Sequence, residues 1–468
     1  MIDDSVDATS FAQRLEDDRF HLQNQYRQHG VYVTEHRLEV PLDHSDPDGP
    51  TITVFAREIS KSRNEGPCCD QPAMIFMQGG PGGRAPRPGD FRSGWIGEAL
   101  KTHRVILMDE RGTGQSTRLD ALTLSEFDTT KDAVKYVRNF RADSMVEDAE
   151  LLRHAINASK PWACLGQSYG GFITTTYLSR HPEGLSEAYF TGGLPGLVDI
   201  EDIYLRTYRL TAARNRAYFE RYPEDQDTLR TVLKHLATHE ETLPTGERLT
   251  PERLRMLGIM LGTTTGFDQL HYFFEGPFTF VGGETRLNTQ FLDMVWRQVS
   301  MGDSPMYGLL HETIYAGATS SLKGRATNWA AQRLLKNVGK DSPDSVPAQF
   351  AAWEQLADTD TDVYLTGEHI YPWLFEQDPA LVPLAELATA LAKDKTWPSL
   401  YDEDVLAANE VPAAAAVYAE DMFVPMDLSL ATAELAHVRP WITNELQHDG
   451  LRADGARVLS HLMELVKD

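Results

Sequence analysis

The chain holds 468 residues, too many for one small core, so one large domain carrying a sizeable insertion is expected. Hydrophobic residues at 41% against 24% charged match a soluble globular protein and exclude intrinsic disorder. Lysine plus arginine total 44 against 69 aspartate plus glutamate, and the resulting net charge of −25 would repel a phosphate backbone or an anionic bilayer, so neither nucleic acid nor a membrane is an expected partner.

In chain order, the acidic opening MIDDSVDATSFAQRLEDDRF lacks the basic start and apolar stretch of a signal peptide, and no later apolar run approaches the ~18 residues of a membrane helix. VYVTEHRLEVPLDH and TITVFAREI, separated by the turn cluster SDPDGP, predict an antiparallel hairpin between Val31 and Glu58. Cys68 and Cys69 are adjacent and Cys164 stands far away. Three cysteines so placed give no disulfide framework and no CxxC zinc pair, so a reducing cytoplasm is the expected compartment and no metal is expected.

Three short apolar runs follow: AMIFM at Ala73 to Met77, RVILMD at Arg104 to Asp109 and PWACLG at Pro161 to Gly166. Each ends in a glycine-containing loop, the pattern of buried parallel strands with functional loops at their carboxyl ends. SMVEDAELLRHAI sets Val146, Ala149, Leu152 and Ile156 on one face of a crossover helix. After LSEAYFTGGLPG the text becomes helix-like, including LRTYRLTAARNRAYFERY, LTPERLRMLGIML with Pro251 at a first helical position, and FLDMVWRQV. Strand text resumes at VPAAAAVYA and RPWITNEL, and a final helix is expected with Leu451, Val458, Leu462 and Leu465 on one face. The expected fold is α/β, a mostly parallel sheet flanked by helices. Residues 1–196 and 406–468 form its core and residues 197–405 an inserted helical cap.

Gly166-Gln167-Ser168-Tyr169-Gly170 matches GxSxG between a strand and the helix-like GFITTTYLSRHP. A serine on such a strained turn needs small residues two positions away on either side, and its hydroxyl is thrust into the site as a nucleophile. With 34 glycines a chance GxSxG in a loop is the competing explanation, which the strand and helix flanks disfavour. Gln78-Gly79-Gly80-Pro81-Gly82 ends another strand, where this architecture supplies a backbone N–H to an oxyanion; alone it would be only a tight turn. A triad in such a fold runs Ser, then acid, then His. Glu420 and Asp421 follow one late strand and compete as the acid, with Asp421 preferred. His448 follows the next strand and is preferred over His437 and His461, which lie in helix-like text. Asp109 and Arg111 in DERGTG read as a structural ion pair, and Cys164 reads as buried packing.

Together QGGPGG, DERGTGQS, GQSYGGF, AEDMFV and HDGLRADG resemble the prolyl aminopeptidases (proline iminopeptidases), α/β-hydrolase serine exopeptidases. The likeness extends to cap text such as LLHETIY, TNWAAQR and YLTGEHIYPW and is to the large-cap branch. It implies an α/β-hydrolase fold, no cofactor, and release of an N-terminal proline from peptides through an acyl-enzyme. It also implies Ser168 as nucleophile, Asp421 as acid, His448 as base, and the Gly80 and Tyr169 N–H groups as the oxyanion hole. Gln78 departs from the family's HGGPG, which leaves a backbone role possible there. A peptide amine is largely cationic at neutral pH, so cap carboxylates are its natural partners. Glu275, Glu312 and Glu368 stand in apolar or aromatic runs, and Glu312 and Glu368 are preferred because their segments most resemble the family; pairing with a nearby arginine or helix capping is the competing role for each. Leu194, Tyr272, Phe273 and Phe274 are candidates to line a slot for the pyrrolidine ring. Two alternatives remain open at this point: an esterase or amidase for hydrophobic acyl groups, and a non-catalytic scaffold used for binding.

Overall fold

The computed structural model describes residues 20–28, 30–63, 66–67 and 71–467. Cys68, Cys69 and most of the acidic opening lie outside the described residues. The main strands are β1 (Phe20–Gln28), β2 (Val31–Pro41), β3 (Thr51–Arg63), β4 (Ala73–Met77), β5 (Arg104–Asp109), β6 (Trp162–Gln167), β7 (Leu185–Thr191), β8 (Ala413–Tyr418) and β9 (Arg439–Thr443). They form a ten-stranded sheet in the order β1-β2-β3-β5-β4-β6-β7-β8-β9, with the two-residue strand Gly66–Pro67 beside β3. β1, β2 and β3 pair antiparallel and β3 joins β5 antiparallel. From β5 to β9 every pairing is parallel. The predicted hairpin is β2 and β3. β1 was not anticipated: FHLQNQYRQ is a polar edge strand with little apolar alternation to betray it.

Period-two alternation sends each central strand into two cores. Ile75 and Met77 of β4 and Ala415 and Val417 of β8 face the layer holding α2 (Ala142–Ile156) and α3 (Tyr169–Arg180). Met74 and Phe76, with Ala414 and Ala416, face α1 (Gly94–Ala99) and the terminal helix, Gly455–Leu465. Val146, Ala149, Leu152 and Ile156 are all buried, as their shared face on α2 predicts. The chain turns at Asp454, so Leu451 belongs to a separate short helix, Gly450–Ala453.

Between Thr191 and Ala413 no strand joins this sheet. That segment carries α4 (Ile200–Arg221), α5 (Glu224–Thr238), α6 (Gly266–Phe274), α7 (Thr289–Val299), α8 (Pro305–Leu310) and α9 (Ala385–Lys393), besides shorter helices and turns. An unanticipated hairpin, Phe278–Val281 with Glu284–Leu287, sits among them. Pro251 takes the first helical position behind a Thr250 cap, and after Arg255 that helix tightens into the 3-10 turns of Met256–Gly262. Among the described residues no helix is long and apolar enough to cross a membrane.

Register decides what the sheet can do. Met77 pairs with Gly166, Gln167 with Thr191, and Thr191 with Ala416, so β4, β6, β7 and β8 end side by side. The loops beginning at Gln78, Ser168 and Gly192, and the one carrying Asp421, therefore share one rim, the carboxyl edge where open α/β sheets carry their sites.

Candidate active site

Ser168 links β6 to α3 with φ 55° and ψ −125°, a conformation costly for a residue with a Cβ and the mark of a nucleophile elbow. Its glycines are required by contact. A Cβ on Gly166 would stand 2.4 Å from the Gly170 carbonyl oxygen, and one on Gly170 would stand 2.0 Å from the Met77 carbonyl oxygen. The elbow is fastened by the Ser168 N–H to the Thr191 carbonyl at 3.1 Å and the Gly171 N–H to the Ser168 carbonyl at 2.7 Å.

Asp421 follows β8 and is buried. Its Oδ1 accepts the N–H groups of Phe423 and Val424 at 2.9 and 3.0 Å, and its Oδ2 meets His448 Nδ1 at 2.7 Å. Glu420, the competing acid, turns away: Arg214 of α4 donates to it at 2.6 Å, and its side chain is 56% exposed. Burial depresses the basicity of His448, but the Asp421 charge and hydrogen bond, with Glu368 and Asp449 adding, hold its pKa above 6.5. Phe423 packs edge-on against the imidazole at 4.9 Å. Gly192 and Gly193 join this pair to the elbow, since a Cβ on Gly192 would lie 3.0 Å from His448 Nδ1 and one on Gly193 would lie 2.6 Å from the Ser168 carbonyl oxygen. His437 ends the helix Met426–Leu435 and bonds the Ala407 carbonyl, and His461 packs on Trp441.

The Gln78–Gly83 loop lies against the elbow: a Cβ on Gly79 would be 3.0 Å from Ser168 Cβ. The Gln78 side chain folds over Gly83, and its backbone N–H donates to Glu110 Oε1 at 2.7 Å. The expected Asp109–Arg111 pair is not formed. Asp109 is bound by Arg87 at 2.9 Å, whereas Arg111 donates to Asp148 Oδ2 at 2.7 Å, so both residues fix loops through partners supplied by other segments. Cys164 is buried beside Thr174 with its thiol pushed up to about 12 by burial, which leaves it inert.

The segment between β7 and β8 adds two carboxyl groups. Glu312 is buried, and its Oε1 accepts the Ala331 N–H at 3.4 Å while its Oε2 has no hydrogen-bond partner. Burial raises its pKa to about 7 against the stabilising contacts of Thr327 and the backbone N–H groups near Ala331. Glu368 accepts the Tyr307 hydroxyl at 2.5 Å, and its charge reaches His448. After desolvation, the charges of both glutamates raise the buried Tyr204 phenol. Among the described residues neither is paired with a lysine or arginine, contrary to the competing ion-pair role. Glu312 does accept N–H groups at the start of the helix Ala330–Leu334, as the competing capping role expects. Glu275, by contrast, ends α6 exposed on the surface.

Of the proposed slot residues, Leu194 is buried beyond β7, Tyr272 is 63% exposed, Phe273 is partly buried against the larger core cluster, and Phe274 packs on Phe291. The aromatics beside the glutamates are Tyr204, Tyr307 and Tyr315, none of which the sequence reading named. Tyr307, His311 and Tyr315 contact one another in succession, and their i, i+4, i+8 spacing in MYGLLHETIY was the available signal. Among the described residues one group, Glu224, Asp225 and His271, brings metal-ligand atoms within 4.8 Å; it lies on α5 and α6 of the cap, and Asp225 already accepts from Tyr218 and His271.

The rim of a parallel sheet, a strained serine elbow and an Asp–His pair on the next loops define an α/β-hydrolase, and residues 72–273 match the alpha/beta hydrolase fold family. The chain is 42% identical over 443 residues to the proline iminopeptidase of Aeromonas sobria, covering 94% of this chain and 97% of that one. It is 32% identical over 445 residues to proline iminopeptidase aneH of Aspergillus aculeatus, covering 93% and 94%. The crystal structure of VinJ is similar at TM-score 0.41 and 14% identity, covering 92% of this chain and 98% of that one. The chain belongs to the proline iminopeptidase family.

Proposed function

We propose that this chain is a serine exopeptidase that releases N-terminal proline from peptides. The observation that carries the reading is the pair of carboxyls Glu312 and Glu368, bonded by Ala331 and Tyr307 but without lysine or arginine partners among the described residues, whose charges both act on the Tyr204 phenol. A protonated N-terminal proline carries one positive charge and two N–H donors, which two carboxyl oxygens can accept. The relatives named proline iminopeptidase over nearly the whole chain support the same activity. An esterase for hydrophobic acyl groups has no cationic substrate group for these two carboxyls to receive.

In this mechanism Ser168 Oγ attacks the proline carbonyl while His448 Nε2 takes its proton, and Asp421 holds the Nδ1–H tautomer. The Gly80 and Tyr169 N–H groups receive the oxyanion. His448 then protonates the departing peptide amine, and a water activated by the same imidazole hydrolyses the prolyl ester. The division into a core at 1–196 and 406–468 and a cap at 197–405 belongs to this proposal, supported by the absence of main-sheet strands between Thr191 and Ala413. We place the enzyme in the cytoplasm, which the reduced, buried Cys164 suits, and the charge of −25 argues against nucleic acid as a partner. A panel of amino-acid anilides with Ser168→Ala as control tests the reading: proline anilide should be turned over best, and equal turnover of all residues or of esters alone would refute it.

A further inference from the structure

Glu110 follows β5 directly and lies buried behind the loop that follows β4. Among the described residues no cation pairs with it, whereas its neighbour Asp109 is occupied by Arg87 and by the N–H groups of Ala85 and Gln115. Burying an uncompensated carboxyl is expensive, and an apolar side chain would fill the space at lower cost. Besides a bond from its own backbone N–H, the carboxyl supplies one directed contact to another segment, the 2.7 Å hydrogen bond from the Gln78 N–H to Oε1. Gln78 stands two residues before Gly80. On its other side the loop is pressed by the elbow, with a Gly79 Cβ position 2.6 Å from Gln167 Oε1 and a Gly170 Cβ position 3.1 Å from the Gln78 carbonyl oxygen.

We propose that Glu110 is the positioning residue of the oxyanion loop, holding the Gln78 backbone so that the Gly80 N–H faces the reacting carbonyl. This rests on the reading of Gly80 as an oxyanion donor. The titratable and charged groups facing Glu110 are Asp109 with its Arg87 partner, Cys164 from β6 and Tyr169 from the start of α3. Burial, with Asp109 adding, brings the Glu110 carboxyl up to about 8 despite the backbone bonds that oppose the rise. At neutral pH the group is a neutral acid whose carbonyl oxygen accepts from Gln78. Above pH 8 it becomes an anion behind a loop that must itself receive negative charge, and turnover should decline.

The test compares Glu110→Gln, which keeps a carbonyl acceptor and cannot ionise, with Glu110→Met, which has similar length and no acceptor of that kind. Both are assayed on proline p-nitroanilide and on p-nitrophenyl acetate, with Ser168→Ala subtracted as background. Glu110→Met should lower kcat about ten-fold or more on both substrates with little change in KM, a fraction of what losing an oxyanion donor costs. Glu110→Gln should restore most of that loss and abolish the decline above pH 8. The acetate ester has no amine, so its alkaline limb cannot come from deprotonation of the substrate. Wild-type kcat in Glu110→Met, equal impairment of both variants, a loss confined to KM, or an unchanged alkaline limb in Glu110→Gln would each overturn the proposal. If Glu110→Met does not fold, the limb in wild type against Glu110→Gln decides alone. Ester turnover without anilide turnover would overturn the exopeptidase reading and leave Glu110 judged on the ester.

Discussion

Glu312→Gln is expected to make the protein more stable and less active at once, and the two effects have separate origins. A carboxyl whose folded pKa is raised from 4.5 to about 7 binds its proton more tightly in the folded state. Stability therefore falls as pH rises between those values, and the penalty is fully present above about 7. The span corresponds to about 3 kcal/mol as an upper figure at 1.36 kcal/mol per pH unit. Glutamine can keep an acceptor toward the Ala331 N–H and carries no charge, so Glu312→Gln should melt several degrees higher than wild type at pH 8 and match it near pH 4.5. Activity should move the other way. The second oxygen of Glu312, unpartnered in the free protein, becomes an amide N–H2 that opposes a cationic amine. Losing a charge-assisted hydrogen bond of about 1.5–3 kcal/mol lowers kcat/KM for proline anilide roughly ten- to two-hundred-fold. Glu368→Gln should show a similar loss, because Tyr307 already uses one of its oxygens and only the other is left for substrate. N-acetylproline anilide should hardly be cleaved by wild type, and a small acetate ester should be little affected by either substitution. Thermal melts at the two pH values and kcat/KM for the three substrates decide the matter. Parallel loss of ester and anilide turnover, equal cleavage of free and acetylated substrates, or a Glu312→Gln variant no more stable at pH 8 would refute the reasoning.

Ser168→Ala and His448→Ala should each remove kcat by ~10^4-fold or more, and Asp421→Asn by about 10^4-fold through the wrong imidazole tautomer. Glu420→Gln should stay within about three-fold, because its pair with Arg214 is solvent-exposed on the acid side; steady-state kinetics on proline anilide would show the acid misassigned if these two results were exchanged. On the acid side, kcat/KM should fall as pH drops through a value above 6.5, since His448 must be neutral to act as base and Asp421 favours its protonated form after offsetting burial; a pH profile with the acetate ester isolates that limb from Glu312. Exhaustive dialysis against EDTA should leave proline anilide turnover unchanged, and loss restored by zinc would overturn the serine mechanism.

The sheet was legible because its strands are short apolar runs punctuated by glycine loops, and GxSxG and GGPG sit at their ends, where sterics leave few other residues possible. Position in chain order pointed to His448, which the structure sets 2.7 Å from Asp421. What the sequence left open were choices settled by distant partners. Glu420 and Asp421 are adjacent and both acidic; the difference is Arg214, 206 residues earlier, which takes Glu420. Asp109 and Arg111 are near neighbours in a loop, yet Arg87 and Asp148 claim them from other segments. Glu275 and Glu312 both occur in aromatic text, but Glu275 caps the exposed end of α6 while Glu312 is folded under the Trp329–Ala331 backbone. Local composition does not distinguish the exposed end of one helix from a buried position beneath the start of another.

The same long-range contacts bear on how an insertion can govern chemistry on the core. Cleavage after a single residue requires a fixed separation between the site that holds the amine and the serine that attacks the next carbonyl, so a freely rocking cap would blur exopeptidase selectivity. The two core residues next to the acid and the base are both tied to the cap: Glu420 by Arg214, and Asp449 by the N–H and hydroxyl of Thr264 at 2.8 and 2.7 Å. Exposed polar contacts of this kind contribute little to stability individually. Their value lies in placement, because the loops carrying Asp421 and His448 are each referenced to the segment that carries the proposed amine site. Glu368 closes the circuit, since its charge is felt by His448 while its oxygen is held by Tyr307 of α8. A cationic amine arriving beside Glu368 would offset that charge and lower the His448 pKa toward the neutral base that the reaction needs. Under the proposed amine binding, substrate recognition and readiness of the base would be coupled through one carboxylate.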